Sequence, residues 1–225
     1  MKTIVKVIAA IAVLGGGFFA YQTVNAADIT GNAGVSYSDT RTFRGVKQAD
    51  DTLGVNVGLA TTIAEKVSLG VSLDSFNALE SAQTNELRTG VSLGYDLSDV
   101  IGLSVGYTNY DYQSATSNNE VGLGVSVETL LNPSVLYSID SDNDSDVTEV
   151  SVDHSLSLSE QFGLTLGGSL GSVDAAADYT YYSVGATVTT KFGGADTFAG
   201  VALVDNDNAG SDSETVFSVG LSLSF

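Results

Sequence analysis

The segment Glu214–Phe225, ETVFSVGLSLSF, places Thr215, Phe217, Val219, Leu221, Leu223 and Phe225 on one parity. Val216, Ser218, Gly220, Ser222 and Ser224, mostly tiny or polar, fall on the other. Successive side chains of a strand point to opposite sides, so this alternation predicts a β-strand with one apolar face. A long apolar strand with an open edge invites aggregation in water, so something has to close or cover it. A membrane barrel does both, because lipid accepts the apolar face and pairing with the first strand removes the edge. Taken alone, the segment fits a soluble sandwich equally well.

The same pattern recurs upstream. Ile29, Ala33, Val35 and Tyr37 share a parity, and the polar stretch 40–51, TRTFRGVKQADD, follows as an expected loop. Apolar parity then marks strands at 53–59, 67–73, 87–97, 101–107 and 121–127, a shorter seventh at 133–140, and further strands at 150–158, 162–170 and 182–188. An eleventh is expected near Thr197–Val204, where the alternation is broken. With the terminal segment this makes an all-β chain of about 12 strands, with 10–14 allowed. Connections after the odd-numbered strands read as long and polar, and those after the even-numbered ones as short. Alternating turn and loop lengths with an even strand count are the signature of a transmembrane antiparallel β-barrel. The opposite parity, including Gly122, Gly124, Ser126, Gly163, Thr165, Gly167, Ser169, Ser218, Gly220 and Ser222, would line the lumen. About eight strands already enclose a space that side chains can just fill. Twelve strands lined by such small groups leave room for water or for a loop folded inward. With no Trp, Tyr and Phe have to supply the interfacial girdles.

Lys2 and Lys6, the apolar run Ile8–Leu14 and the small residues around Ala26 read as a secretory signal peptide over 1–26, with the barrel over 27–225. No later run approaches the roughly 20 apolar residues of a membrane helix. Of 8 basic residues two leave with the signal, so 6 face 27 acidic ones, a formal charge near −21. Such a surface excludes nucleic-acid binding, which needs a basic footprint. The chain has no Cys, hence neither disulfides nor thiolate metal sites.

Two features resemble known outer-membrane proteins. The terminal Phe225 looks like the C-terminal recognition signal of bacterial outer-membrane barrels. In the first polar stretch, Arg44-Gly45-Val46-Lys47-Gln48 resembles the RG-x-x-Q segment of the TorF family of porin-like proteins, with Lys47 at a position where a small residue is usual. The strand end Tyr107-Thr108-Asn109-Tyr110 and the strand spacing also fit. That resemblance implies an outer-membrane barrel with a pore, and brings no catalytic residue, cofactor or substrate.

Candidate chemistry is sparse. His154, the sole histidine, falls on the lipid-facing parity, as in outer-membrane phospholipases and lipid A deacylases; Ser155 beside it points the other way. No nucleophile motif accompanies it, so no catalytic residue is assigned and an interfacial histidine is expected. The alternating Asp140, Asp142, Asp144 and Asp146 lack the Gly and Glu of a calcium loop, with Ser145 and Ser151 in those places. They read as a solvated acidic loop, with weak divalent-ion bridging to lipopolysaccharide as the alternative. Arg41, Arg44, Lys47 and Arg88, set against the inward carboxylates Asp74, Asp96, Glu149 and Asp153, make a candidate pore constriction. Opposed charges across a lumen would set a transverse field and select ions; the competing reading has Arg44 pairing with a wall carboxylate to fix the loop. The expectation is a monomeric or loosely associated outer-membrane porin that passes small hydrophilic solutes or ions. Its acidic mouths would favour cations. The partners expected are outer-membrane lipid and lipopolysaccharide, with no cofactor and no resident metal. Alternatives are a non-conducting surface barrel plugged by a loop, and a hydrolase using His154.

Overall fold

The computed structural model describes residues 29–80, 85–208 and 210–225, so the expected signal peptide over 1–26 lies outside the described residues. Twelve strands appear in chain order: β1 Ile29–Phe43, β2 Val46–Ala64, β3 Val67–Ala78, β4 Glu86–Asp96, β5 Ile101–Tyr112 and β6 Asn118–Val127, then β7 Ser134–Asp140, β8 Ser145–Ser157, β9 Phe162–Asp174, β10 Tyr179–Phe192, β11 Ala195–Asn206 and β12 Glu214–Ser224. Each pairs antiparallel with its sequence neighbour, and β1 pairs with β12 from Asn32↔Ser224 to Ser38↔Ser218, closing a barrel. Phe225 and Gly31 exchange backbone hydrogen bonds of 2.7 and 2.9 Å, so the terminal strand is paired to its last residue. Closure is what removes the edge that the opening segment would otherwise expose.

The alternation read from the sequence becomes the two faces of the wall. Val55, Val57, Leu59, Leu73, Leu93, Leu123, Leu166, Leu203 and Leu221 stand exposed on the outside. An apolar exterior of that size is stable only against lipid. Outward aromatics form two girdles. Tyr37, Tyr107, Tyr137, Tyr182 and Phe217 lie toward the end reached by the β1–β2 turn, and Tyr95, Phe162, Phe192 and Phe225 toward the end that carries the termini. At the former end the phenols donate to polar groups nearby: Tyr107 to Asn119 (2.6 Å), Tyr137 to Asp146 (2.7 Å), Tyr182 to Asp205 (2.9 Å), and Tyr37 to Asp51. The apolar body of each ring faces lipid while its hydroxyl stays bonded in the polar zone.

Two expectations are corrected. The stretch 40–51 is not a loop: β1 and β2 run through it as a paired ribbon and turn in two residues at Arg44-Gly45. The regular alternation of long and short connections also fails, since 128–133 is longer than 141–144 or 175–178. A hairpin that pairs only with itself needs no apolar face, so its polar sequence hid its strands. The broken alternation near Thr197–Val204 has a cause too. Ala202 and Val204 point inward and pack with Val216 of β12 in a small buried apolar cluster.

In the connection between β11 and β12, the Asp207 carboxylate accepts hydrogen bonds from the Thr180 backbone (2.6 Å) and hydroxyl (2.8 Å). These bonds, the backbone one foremost, hold its pKa below the usual carboxylate range.

Candidate constriction in the barrel lumen

The β1–β12 ladder ends at Ser38↔Ser218, and β2 pairs with β3 only from Thr52 onward. Between them residues 39–51 pair with one another alone. Two features turn this ribbon out of the wall. Asp51 adopts a left-handed φ of 44°, and a bulge between Arg41 and Thr42 leaves Gln48 without an opposite residue. Such a bulge bends and twists its strand. The wall positions that the ribbon vacates are capped: Phe217 N–H donates to Asp39 Oδ1 (2.8 Å) and Leu79 N–H to Asp51 O (2.8 Å). Both tip residues have positive φ, 50° at Arg44 and 78° at Gly45, the geometry of a two-residue type I′ hairpin turn.

The ribbon lies inside the barrel. Thr40, Arg41 and Thr42 are all buried in succession, which a wall strand facing lipid on one side cannot achieve. Its tip reaches the opposite wall. Arg44 forms a two-pronged ion pair with Glu120 of β6 (2.6 and 2.7 Å) and donates to Ser138 of β7 (3.3 Å). Asn206 of β11 donates to Gly45 O (2.7 Å). Gly45 is also required sterically, since a Cβ there would sit 2.5 Å from the Tyr181 Cβ.

Along the β3–β5 side the gap is filled by stacked charge and aromatic rings. Arg41 pairs with Glu86 (2.8 Å), and Arg88 pairs with the same carboxylate. The Arg41 guanidinium lies 4.2 Å from the Phe76 ring centre, and that of Arg88 4.4 Å from Phe43 and 5.0 Å from Tyr110. Arg44 stacks 4.6 Å over Phe43, and the Tyr110 hydroxyl completes the Glu120 shell (3.1 Å). Planar guanidiniums tolerate this environment because they stack on rings while bonding carboxylates in their own plane. Arg41 Nε has no hydrogen-bond partner among the described residues; the ring face of Phe76 covers it instead.

On the other side, Glu149 of β8 accepts the Tyr181 hydroxyl (2.6 Å), and Val147, Val173 and Tyr181 make a second inward apolar cluster. Gly171 makes room for Tyr181, since a Cβ at 171 would overlap the phenol ring. Gly171→Ala is expected to push the ring off Glu149 and to destabilise the barrel by about 1–3 kcal/mol, the usual cost of overpacking. A lowered urea unfolding midpoint would show it.

The sequence-derived candidates thus separate. Arg41, Arg44 and Arg88 converge at the ribbon, Asp74 sits beside Arg88 as its cross-strand neighbour, and Glu149 lies across from the β1–β2 wall. Lys47 lies on the ribbon's exposed side, bonded to Asp50 (2.6 Å) and 3.7 Å from Glu214. Asp96 and Asp153 are elsewhere: Asp96 closes β4 near the β2–β3 turn, and Asp153 accepts Asn132 of the β6–β7 connection (3.2 Å), both at the terminal end. Glu86 and Glu120 were missed, as were Phe43, Phe76, Tyr110 and Tyr181. Inward parity at Glu86 and Glu120 was the available signal for the two carboxylates. His154 faces outward with Nδ1 2.6 Å from Leu130 O, while Ser155 bonds Thr165 on the inner face (3.0 Å). At the acidic turn, Asp140 accepts from the backbone N–H groups of Asp142 (3.0 Å) and Asn143 (3.1 Å). No group of three or more metal-ligating side chains occurs among the described residues.

The architecture has solved counterparts. The NanC porin matches with a TM-score of 0.57 at 12% identity, over 85% of this chain and 98% of that one. The COG4313 outer membrane channel from Pseudomonas putida F1 matches at 0.57 and 12% identity, covering 91% and 98%. The KdgM porin matches at 0.55 and 12%, covering 86% and 99%. The fold is therefore that of outer-membrane porins and channels, in keeping with the apolar exterior. No family model matches the chain, and no curated protein does. The resemblance of the Arg44–Gln48 segment to the TorF family is not matched by any of these comparisons.

Proposed function

We propose that the chain is an outer-membrane channel for passive diffusion of small hydrophilic solutes or ions, narrowed by the inward β1–β2 ribbon and preferring cations. The observation that carries this reading is the ribbon laid across a closed barrel whose terminal half is lined by Gly, Ser and Thr. Around the ribbon, three guanidiniums face four inward carboxylates, Glu86, Glu120, Asp74 and Glu149. The formal charge of −19 for the whole chain adds a negative potential at the mouths, which concentrates cations and repels anions. One porin of this fold, KdgM, is known in complex with oligogalacturonate, a polyanion; the charge balance here argues for the opposite sign. In this reading lipid and lipopolysaccharide surround the wall, and the ribbon end faces the exterior.

The test is the refolded protein in a planar bilayer, first in symmetric and then in asymmetric salt. Small stepwise openings with a cation-selective reversal potential are expected; an anion-selective potential overturns the charge argument. Asp74→Asn and Glu149→Gln are each expected to reduce the cation-to-anion permeability ratio by about twofold or more, by removing lumen charge. A second reading is favoured by the Arg41–Phe76 and Arg88–Phe43 stacks, which leave little free space on that side: a sealed barrel working through its acidic outer surface. A folded, heat-modifiable barrel that never conducts would decide for it.

A further inference from the structure

We propose that residues 39–51 are a two-position gate, folded into the lumen in this structure and able to swing out and rejoin the wall along β12. The proposal rests on the channel reading and concerns how that channel is regulated.

Three observations point to a second position. First, β12 offers a landing edge. It pairs with β11 through Glu214, Thr215, Val216 and Phe217, whereas β1 leaves it after Ser38↔Ser218. The register, extended, would set Asp39 opposite Phe217 and Arg41 opposite Thr215. Second, the edge points the right way. Phe217 N–H is turned toward β1, since it donates to Asp39 Oδ1 (2.8 Å). In an antiparallel ladder alternate residues face the same neighbour, so Thr215 faces β1 as well. The Asp39 side chain thus stands in for the backbone bond that the swung-out ribbon would restore. Third, the ribbon has hinges at both of its roots, the left-handed Asp51 and the point where β1 leaves the ladder, and a latch at its tip. That latch is Arg44–Glu120 and Asn206–Gly45.

The two positions exchange comparable interactions. Inside, the ribbon is held by charge-assisted bonds and ring stacking. Outside, it would gain ladder bonds to β12 and hydration of Arg41 and Arg44, while Glu86 keeps Arg88 as its partner. Thr40 and Thr42 would continue the inward parity of Ser36 and Ser38, and Asp39 and Arg41 would face outward beyond the Tyr37 girdle, where charge is tolerated. A segment with two satisfied arrangements is the bistable element that gating requires.

The absence of Cys makes the test clean. Spin labels on Lys47→Cys, on the ribbon's exposed side, and Asp99→Cys, in the β4–β5 turn at the terminal end, report the ribbon's height in lipid bilayers by pulsed electron resonance. Two distance populations are expected. Glu120→Gln should enrich the longer one at least threefold. Thr215→Pro should deplete it by a similar factor, since proline removes an N–H used only in the outward position and is accepted on an open edge. A single short distance in the parent and in Glu120→Gln overturns the gate. A longer distance that Thr215→Pro leaves unchanged overturns docking on β12. The channel reading is tested separately by conductance of a barrel lacking the ribbon: if that barrel is silent the channel fails, whatever the distances show.

Discussion

A barrel in which residues 40–50 are replaced by Asn-Gly is expected to conduct ions at least about fivefold better than the parent, because the unobstructed lumen is wide. Twelve strands about 4.8 Å apart and tilted by about 40° enclose a barrel roughly 24 Å across between backbones. A two-stranded ribbon with its side chains occupies about 10 Å of that width, and the ring of arginines and aromatics closes further space beside it. The replacement leaves the wall intact, since the β1–β12 pairing ends at Ser38 and the β2–β3 pairing begins at Thr52. Asn-Gly supplies the positive φ values that a two-residue hairpin between Asp39 and Asp51 needs. Single-channel conductance in symmetric salt reads the effect. Equal conductance in both proteins would mean that the ribbon does not limit flow, and silence in both would favour the sealed barrel.

Glu86→Ala is expected to lower barrel stability by about 3–5 kcal/mol, the cost of leaving buried charge without its partner. Glu86 is 4% exposed and neutralises Arg41 and Arg88, themselves 5% and 2% exposed. Its loss leaves two buried guanidiniums side by side without the carboxylate that pairs with both. Glu86→Gln keeps acceptor geometry and should lose less, while Lys47→Ala, on the exposed side of the ribbon, should stay within about 0.5 kcal/mol of the parent. Urea unfolding in lipid vesicles, followed by tyrosine fluorescence, checks all three. An unchanged midpoint for Glu86→Ala would show that water or ribbon displacement solvates the two arginines at little cost, which would itself favour a mobile ribbon.

The wall was legible because alternation is a local property. In Glu214–Phe225, in Leu53–Leu59 and in Leu87–Leu97 each residue's face follows from its parity, whatever it pairs with. The ribbon was not legible as strand because neither of its sides faces lipid, so nothing selects an apolar parity in TRTFRGVKQADD. Arg41, Arg44 and Arg88 could be singled out by their scarcity in an acidic chain. Their partners could not: Glu120 lies 76 residues from Arg44, and Glu86 lies 45 from Arg41. Asp96 and Asp153 share the inward parity of Asp74 and Glu149, and parity says nothing about height in the barrel.

By itself, then, the sequence determined an antiparallel barrel of about twelve strands with an apolar exterior, a small-residue interior and an acidic surface, because period-two patterning and composition act residue by residue. Only the tertiary structure decided that β1 and β2 leave the wall at Asp39 and Asp51, that their ribbon crosses the lumen, and which carboxylates receive its arginines. Those outcomes depend on the closed wall. Burying Arg41 and Arg88 and half-burying Arg44 is tolerable only where Glu86, Glu120 and the rings of Phe43, Phe76 and Tyr110, set on separate strands, are brought around them by closure.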